Sequence, residues 1–369
     1  MIINFISDIA TPHVNELLRA VSARSDVRLN PWYSAEDKTE YKWRSNPTHA
    51  VTQARLFGAR WPSARLLKYA LSHPDEKFVV VGWSNPTTRV LVPMFDIARR
   101  RFAFFTDHPV DDDRGFVIHT AREAYLGVLR RRAQILAVGA RTVDYFVRRR
   151  FRRDRVCNLP MPVPKFPATV RASRDDTRRQ HGVRENDLFI VTGSRLVRQK
   201  GFDVLLGALG LLSPEEIARV RLMLVGSGPE EDSLKSICRD RCLDQRVEMA
   251  PWMEYDEFAR CVAAADVVVH PARFDAYGGT SLTAVALGVP VIGSRGAGSA
   301  IDLVEDKVSG FIYDPDDTNA LMGHLRFFLK HPRAGREMGR AAEMVADRRS
   351  ADKVADILVN RLGDDPRSP

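Results

Sequence analysis

Short runs of consecutive apolar residues recur along the chain. They are separated by longer stretches in which apolar and polar positions mix at helical spacing. In the first half the runs are Ile2–Ile6, Phe78–Val81, Phe102–Phe105 and Ile135–Val138. In the second half they are Leu188–Thr192, Leu222–Val225, Val267–His270, Val291–Gly293 and Phe311–Tyr313. None alternates with polar residues, as a strand with one wet face would. Unbroken runs of this length suit strands covered on both faces, in a parallel sheet whose crossovers are helices. The pattern therefore predicts an α/β chain.

The two sets of strands are divided by Leu159-Pro160-Met161-Pro162-Val163-Pro164-Lys165-Phe166-Pro167. Prolines at this density fix φ and remove N–H donors, which suits an extended hinge. We place the domain boundary there, with one domain over residues 1–165 and another over 166–349. Ser350–Leu362 is amphipathic and reads as a closing helix, with a tail to residue 369. Near the start, Thr11 and Pro12 carry the chemistry of an N-cap followed by a first helical residue.

Composition narrows the class. A chain of 369 residues with 44% apolar and 28% charged residues has the length of about two globular domains. No apolar run reaches the roughly 18 residues of a membrane span, and no signal peptide is expected. Cys238 and Cys242 could share a helix face, but no further Cys or His completes a zinc set, so reduced structural thiols and no metal are expected. The charge is uneven. Residues 1–170 hold 28 Lys and Arg against 16 Asp and Glu, a net of +12 in a chain of net +9. The excess peaks at Arg99–Arg101, Arg130–Arg132 and Arg148–Arg150, with Arg152, Arg153 and Arg155 beyond. Either this is solvated surface or it meets an anionic partner such as a membrane face or a lipid-phosphate. Aromatic–basic interleaving is absent, so nucleic acid is not expected.

Three segments carry candidate chemistry. Phe274-Asp275-Ala276-Tyr277-Gly278-Gly279-Thr280 runs into a short helix, followed by the Pro290-Val291-Ile292 strand. Gly278, Gly279 and Thr280 leave helix N–H groups free to bind an anion. Asp275 upstream can accept hydrogen bonds from sugar hydroxyls. A phosphate cradle beside such an acceptor suits a nucleotide-sugar. Arg195 and Lys200 bracket a tight loop after a strand, where two cations can converge on one diphosphate and stabilise the charge that develops as it leaves. His108 follows the run Phe102–Phe105, at a strand's carboxyl end, where ligands of such sheets bind. Asp107 is the alternative bearer of that role.

These motifs resemble family 4 retaining glycosyltransferases, which have the GT-B fold of two Rossmann-like, doubly wound domains facing across a cleft. Asp275, Gly278, Ala284, Ala286, Gly288 and Pro290–Ile292 fall in register with the family's donor motif, and Arg195 and Lys200 fall on its Gly-x-Arg…Lys-Gly signature. Two positions depart. Asp275 replaces the usual Glu, and Thr283 stands eight residues on, where a second acid usually holds the ribose. The resemblance implies a metal-independent enzyme without a cofactor that moves a sugar from a nucleoside diphosphate to a glycan or lipid-linked acceptor. The implied setting is bacterial cell-surface polysaccharide or glycolipid synthesis, in the cytoplasm and peripheral on the inner membrane face. It implies donor binding by Arg195, Lys200, Gly278, Gly279, Thr280 and Thr283, with Trp252 and Met253 near the base. His108 and Asp275 would act on the transferred sugar. It also implies that the closing helix crosses back to the first domain. The rival readings are an inactive nucleotide-sugar or glycan binder, separable by binding without turnover, and a sugar-nucleotide epimerase, separable by product analysis without acceptor.

Overall fold

The computed structural model describes residues 1–8, 11–34, 55–58, 60–83, 85–109 and 116–363. Among these, every expected apolar run is a strand, and all strand pairs are parallel. The chain divides into two compact units, Val163–Arg348 and Met1–Pro162 joined by Arg349–Pro369. The division falls inside the proline run.

The first unit holds β1 (Ile2–Ser7), β2 (Arg28–Tyr33), β3 (Arg55–Leu56), β4 (Lys77–Val81), β5 (Phe102–Thr106), β6 (Ala133–Ala137) and β7 (Val156–Asn158), in the order β3-β2-β1-β4-β5-β6-β7. Ile3, Phe5, Phe78, Val79, Phe104 and Ile135 are buried, because helices cover both faces of the sheet. Polar residues enter this core as well, Asn4 among them. Asn4 donates to Glu76 at 2.7 Å and accepts from the Trp32 indole at 3.1 Å, so its burial leaves no group unpaired.

Sequence reasoning missed β2, β3 and β7. Pro31 inside Arg28–Tyr33 argues against an internal strand, since it cannot donate to a ladder. It is accommodated because β3 pairs only with Trp32 and Tyr33, leaving the outer edge of β2 without a ladder at Pro31. The strands β3 and β7 are too short to carry a pattern of their own.

The second unit holds β8 (Leu188–Gly193), β9 (Val220–Val225), β10 (Val247–Ala250), β11 (Val267–His270), β12 (Val291–Ser294) and β13 (Gly310–Tyr313), in the order β10-β9-β8-β11-β12-β13. Its core is leucine-rich, built on Leu205, Leu206, Leu222, Leu224, Leu321 and Leu325 with Phe328. Cys238 is buried on the helix Glu231–Asp240, whereas Cys242 lies beyond the helix end and is exposed. The two thiols therefore do not share a helix face.

The arginine runs precede β5, β6 and β7, which are neighbours, so the fold gathers them at the amino ends of those strands. Arg130 Nε donates to the Arg149 carbonyl at 3.1 Å, and Arg155 donates to the Arg131 carbonyl at 3.0 Å. Burial and the like charges of Arg101, Arg152 and Arg132 lower the pKa of Arg155. Asp96 pairs with Arg131 and Arg132, and Glu123 with Arg130 and Arg149.

At its start the first unit has the expected cap. Thr11 accepts from the Val14 N–H at 3.4 Å and opens the helix Pro12–Ser22. The helix Ala351–Gly363 packs on it, and Arg24 pairs with Asp356. Residues 364–369 of the expected tail lie outside the described residues. Leu358 on the closing helix is fully buried. We expect Leu358→Ala to destabilise the first unit by about 2–5 kcal/mol, the cost of a cavity in a packed interface. Differential scanning calorimetry with limited proteolysis would check it. Fragments of residues 1–162 should become susceptible before those of 163–348.

Candidate functional site

In the second sheet the strand order reverses between β8 and β11. Loops leaving the carboxyl ends of these two strands run in opposite directions and open a crevice, where ligands of doubly wound sheets bind. Both glycine- and charge-bearing motifs of this unit occupy those loops. The two loops are packed backbone to backbone. Gly201 has φ of 67°, and a Cβ there would lie 2.1 Å from the Pro271 carbonyl oxygen. The Phe274 N–H donates to the Gln199 carbonyl at 3.1 Å. The Thr280 hydroxyl donates to the Gly193 carbonyl at 2.7 Å, tying the following helix to the end of β8.

Arg273 locks this arrangement. It makes a bidentate pair with Asp203, both bonds 2.7 Å, and donates to the Arg198 carbonyl at 2.8 Å. Its charge is spent on the scaffold. Arg195, by contrast, is exposed and makes no ion pair among the described residues.

Asp275 is the electrostatic centre. Its Oδ2 accepts from Lys200 Nζ at 2.5 Å and faces His270 Nε2 at 3.1 Å. Lys200 is 75 positions from Asp275 in sequence. His270, the last residue of β11, is buried, and its Nδ1 lies 2.8 Å from the Ser281 hydroxyl. Burial works against the charged carboxylate, but the His270 hydrogen bond and the Lys200 charge outweigh it. They hold the Asp275 carboxyl well below its ordinary range. Gly278, at φ of 88°, completes the cluster. A Cβ there would meet His270 Cε1 at 2.5 Å and Asp275 Oδ2 at 2.6 Å. Gly278 caps the helix Gly279–Ala286 and, among the described residues, no side chain caps that helix's first N–H groups. A cation, a carboxylate and an uncapped helix start thus converge.

The other sequence-predicted residues are placed as follows. Gly279 is exposed at the helix start and Thr280 is buried beneath it. Thr283 is fully buried, and its hydroxyl is used inside the unit, donating to the Gly279 carbonyl at 3.0 Å with the Tyr255 hydroxyl at 3.4 Å. Trp252 and Met253 are half-buried after β10, two strands from β8 at the sheet edge. His108 belongs to the first unit. It follows β5, its Nδ1 is 2.9 Å from the Pro109 carbonyl and its ring is edge-on to Tyr145 at 5.2 Å. Asp107 beside it is exposed.

Sequence reasoning missed His270, Ser281 and Arg273. A signal existed for His270, since the argument applied to His108, a histidine closing an apolar strand, applies equally to Val267–His270.

Residues 173–345 match the model of the family described as glycosyl transferases group 1. The chain is similar to the GDP-mannose-dependent monoacylated alpha-(1-6)-phosphatidylinositol monomannoside mannosyltransferase of Corynebacterium glutamicum, with 29% identity over 216 residues, 56% of this chain and 55% of that protein. It is also similar to the D-inositol 3-phosphate glycosyltransferase of Pseudarthrobacter chlorophenolicus, with 29% identity over 191 residues, 51% of this chain and 45% of that one. The chain spans about half the length of the curated relatives it matches. Among solved structures it is similar to Anabaena HepE in complex with UDP, with a TM-score of 0.78 and 21% identity over 98% of this chain and 100% of that one. The fold is GT-B, built from two Rossmann-like units.

The Asp275 network has a pH signature. A carboxyl whose folded pKa is depressed contributes stability above its unfolded value, and loses it as pH falls. We expect Asp275→Asn to be less stable than the parent at pH 7. The gap should be full above about pH 5 and should narrow as pH falls past the ordinary value of 3.8. Thermal melts of both proteins between pH 2 and 8 would check it. A gap that does not change with pH would contradict the ionised pairing.

Proposed function

We propose that this chain is a glycosyltransferase that moves a sugar from a nucleoside diphosphate to an acceptor hydroxyl, with retention of configuration. The observation that carries this reading is the meeting of Lys200 and Asp275 beside the uncapped helix start at Gly279, at the strand-order reversal of a group 1 domain. Each part has a task. The helix start and Arg195 bind the diphosphate, and Lys200 joins them. One of its three N–H bonds is on Asp275, which leaves two for phosphate oxygens. As the sugar–phosphate bond breaks, negative charge grows on the leaving oxygen, and these fixed cations stabilise it without reorganising. We assign no metal or resident cofactor to that step. Asp275 accepts from a hydroxyl of the sugar. Trp252 and Met253 are proposed to flank the base. No protein nucleophile is assigned, and the departing phosphate takes the acceptor's proton.

Relatives named for GDP-mannose, phosphatidylinositol mannoside and inositol phosphate favour an acceptor that carries phosphate or lipid, in glycolipid or cell-surface polysaccharide synthesis. Arg195→Ala or Lys200→Ala should lower turnover roughly 10²–10³-fold at saturating donor, as for other preorganised charges at a leaving group. Release of nucleoside diphosphate, measured with and without EDTA, checks both claims. EDTA should change nothing. Lys200→Ala should also lower the melting temperature, because it strips Asp275 of its cation, whereas Arg195→Ala should not. Wild-type rates in both variants would remove the clamp from the mechanism.

We further propose that the protein works in the cytoplasm, against the inner face of a membrane, through the arginines at the amino ends of β5, β6 and β7. Among the described residues no helix is long and apolar enough to cross a membrane. Arg148, Arg150 and Arg153 are exposed there, and Ile97 nearby is 84% exposed. Ligands of such sheets bind at the opposite strand ends, about 17 Å away for a five-residue strand. The arginines therefore serve as an anchor and not as the acceptor pocket. Binding to vesicles should rise with acidic lipid and fall with salt. Each of Arg148→Ala, Arg150→Ala and Arg153→Ala should weaken it about five-fold. Equal partition onto neutral and acidic vesicles in a sedimentation assay would refute the anchor.

A further inference from the structure

We infer that His270 is a positioning residue for sugar recognition: with Ser281 behind it and Lys200 opposite, it fixes the Asp275 carboxylate so that Oδ1 is left free for a donor-sugar hydroxyl. The inference rests on the assignment of Asp275 to the sugar made above.

A carboxylate accepts and does not donate, so His270 Nε2 must carry its proton toward Asp275 Oδ2, 3.1 Å away. On its other side the ring shares a hydrogen bond through Nδ1 with the Ser281 hydroxyl at 2.8 Å. The hydrogen bonds form one chain through Ser281, His270 and Asp275. Lys200 Nζ donates to the same Oδ2 from the other side at 2.5 Å. Both protein donors thus converge on one oxygen, and the carboxylate cannot rotate without breaking two bonds. The rest of the pocket closes the remaining freedom. Gly278 leaves no room for a Cβ between His270 and Asp275, so the ring and the carboxylate are in direct packing contact. The Asp275 N–H donates to the Gly296 carbonyl at 2.9 Å and its own carbonyl accepts from Gly298 at 3.1 Å, so the backbone beneath the carboxylate is held as well. His270 lies at the end of β11, and Ser281 is on the third residue of the helix Gly279–Ala286. The ring therefore couples the sheet, the sugar-facing acid and the anion-facing helix start.

This arrangement also accounts for the shorter acid. An Asp side chain has one fewer rotatable bond than the Glu usual in this motif. Two donors on one oxygen suffice to aim it.

The test compares His270→Phe, His270→Gln and Ser281→Ala with Asp275→Ala. Each is titrated calorimetrically with UDP-glucose, GDP-mannose, UDP and GDP, and assayed for transfer. His270→Phe keeps an aromatic ring, slightly larger, and removes both bonds. It should leave affinity for the bare diphosphate unchanged within about two-fold, and lower affinity for the sugar-nucleotide and kcat/KM roughly ten-fold, the worth of one good hydrogen bond to a charged group. His270→Gln, which can still donate to Asp275, should recover most of that loss, and Ser281→Ala should lose only two- to three-fold. Combined with Asp275→Ala, His270→Phe should add nothing, because it acts through the acid. If Asp275→Ala weakens sugar-nucleotide and diphosphate equally, the assignment of Asp275 to the sugar fails. If Asp275→Ala is selective for the sugar but His270→Phe is not, the positioning role fails. Equal losses for His270→Phe and His270→Gln with unchanged diphosphate binding would also overturn it. Because diphosphate affinity reports a folded second unit, a variant that merely misfolds loses every ligand. Ser281→Ala, which leaves the ring in place, then decides the question.

Discussion

The site in the second unit depends on how closely two backbones approach. The loop after β8 and the loop after β11 touch through main-chain atoms. Gly201 faces the Pro271 carbonyl at 2.1 Å for the Cβ it lacks, and from the loop after β12 Gly296 and Gly298 face the Ala272 and Ala276 carbonyls at 2.2 and 2.4 Å, holding the loop after β11 from its other side. No side chain fits at these points. Such contact removes the freedom that loops usually have and fixes Lys200 and Asp275 on facing segments. It also explains why glycines crowd a region that carries so much charge, since cations and a carboxylate can be aimed at each other only if the chain between them does not move.

Charge in the site is divided between scaffold and ligand. Arg273 is consumed by Asp203, Asp316 and a carbonyl, and holds the loop that presents Lys200. Lys200 is shared with Asp275. Arg195 is exposed and carries no partner among the described residues. This gradation suits a binding site for a diphosphate. A fully paired cation has little to offer an anion, and a wholly unpaired buried one would be too costly to fold. The same economy explains Thr283. Turned inward and bonded to the carbonyl one helical turn back, its hydroxyl is satisfied within the unit instead of facing solvent.

In the first unit the arginines follow a different logic. Carboxylates are too few at the amino ends of β5, β6 and β7 to neutralise them, and burial and neighbouring charge lower the pKa of Arg155. Such a surface is tolerated because most of its members stay in water, and Arg130 and Arg155 donate hydrogen bonds to backbone carbonyls of the neighbouring arginine segments. The arrangement ties like charges together by their main chains and leaves their outer faces available to an anion.

The sequence by itself determined the strands that form the two sheet cores and the loops that bear the motifs. These are local properties. An unbroken run such as Val267–His270 must be covered on both faces whatever it packs against, and a Gly-Gly-Thr turn leaves N–H groups free wherever it lies. Only the tertiary structure decided the partners. Nothing near Asp275 in sequence shows that its cation is Lys200, because the order β8-β11 is what makes them neighbours. His270 is close in sequence, but its role needed Ser281 behind it and Gly278 beside it. The strand β2 was hidden by Pro31 until the edge it belongs to was known, and the arginine runs became one surface only when β5, β6 and β7 lined up. Periodicity and turn chemistry are written residue by residue, whereas the pairing of distant charges is set by strand order, which no single segment encodes.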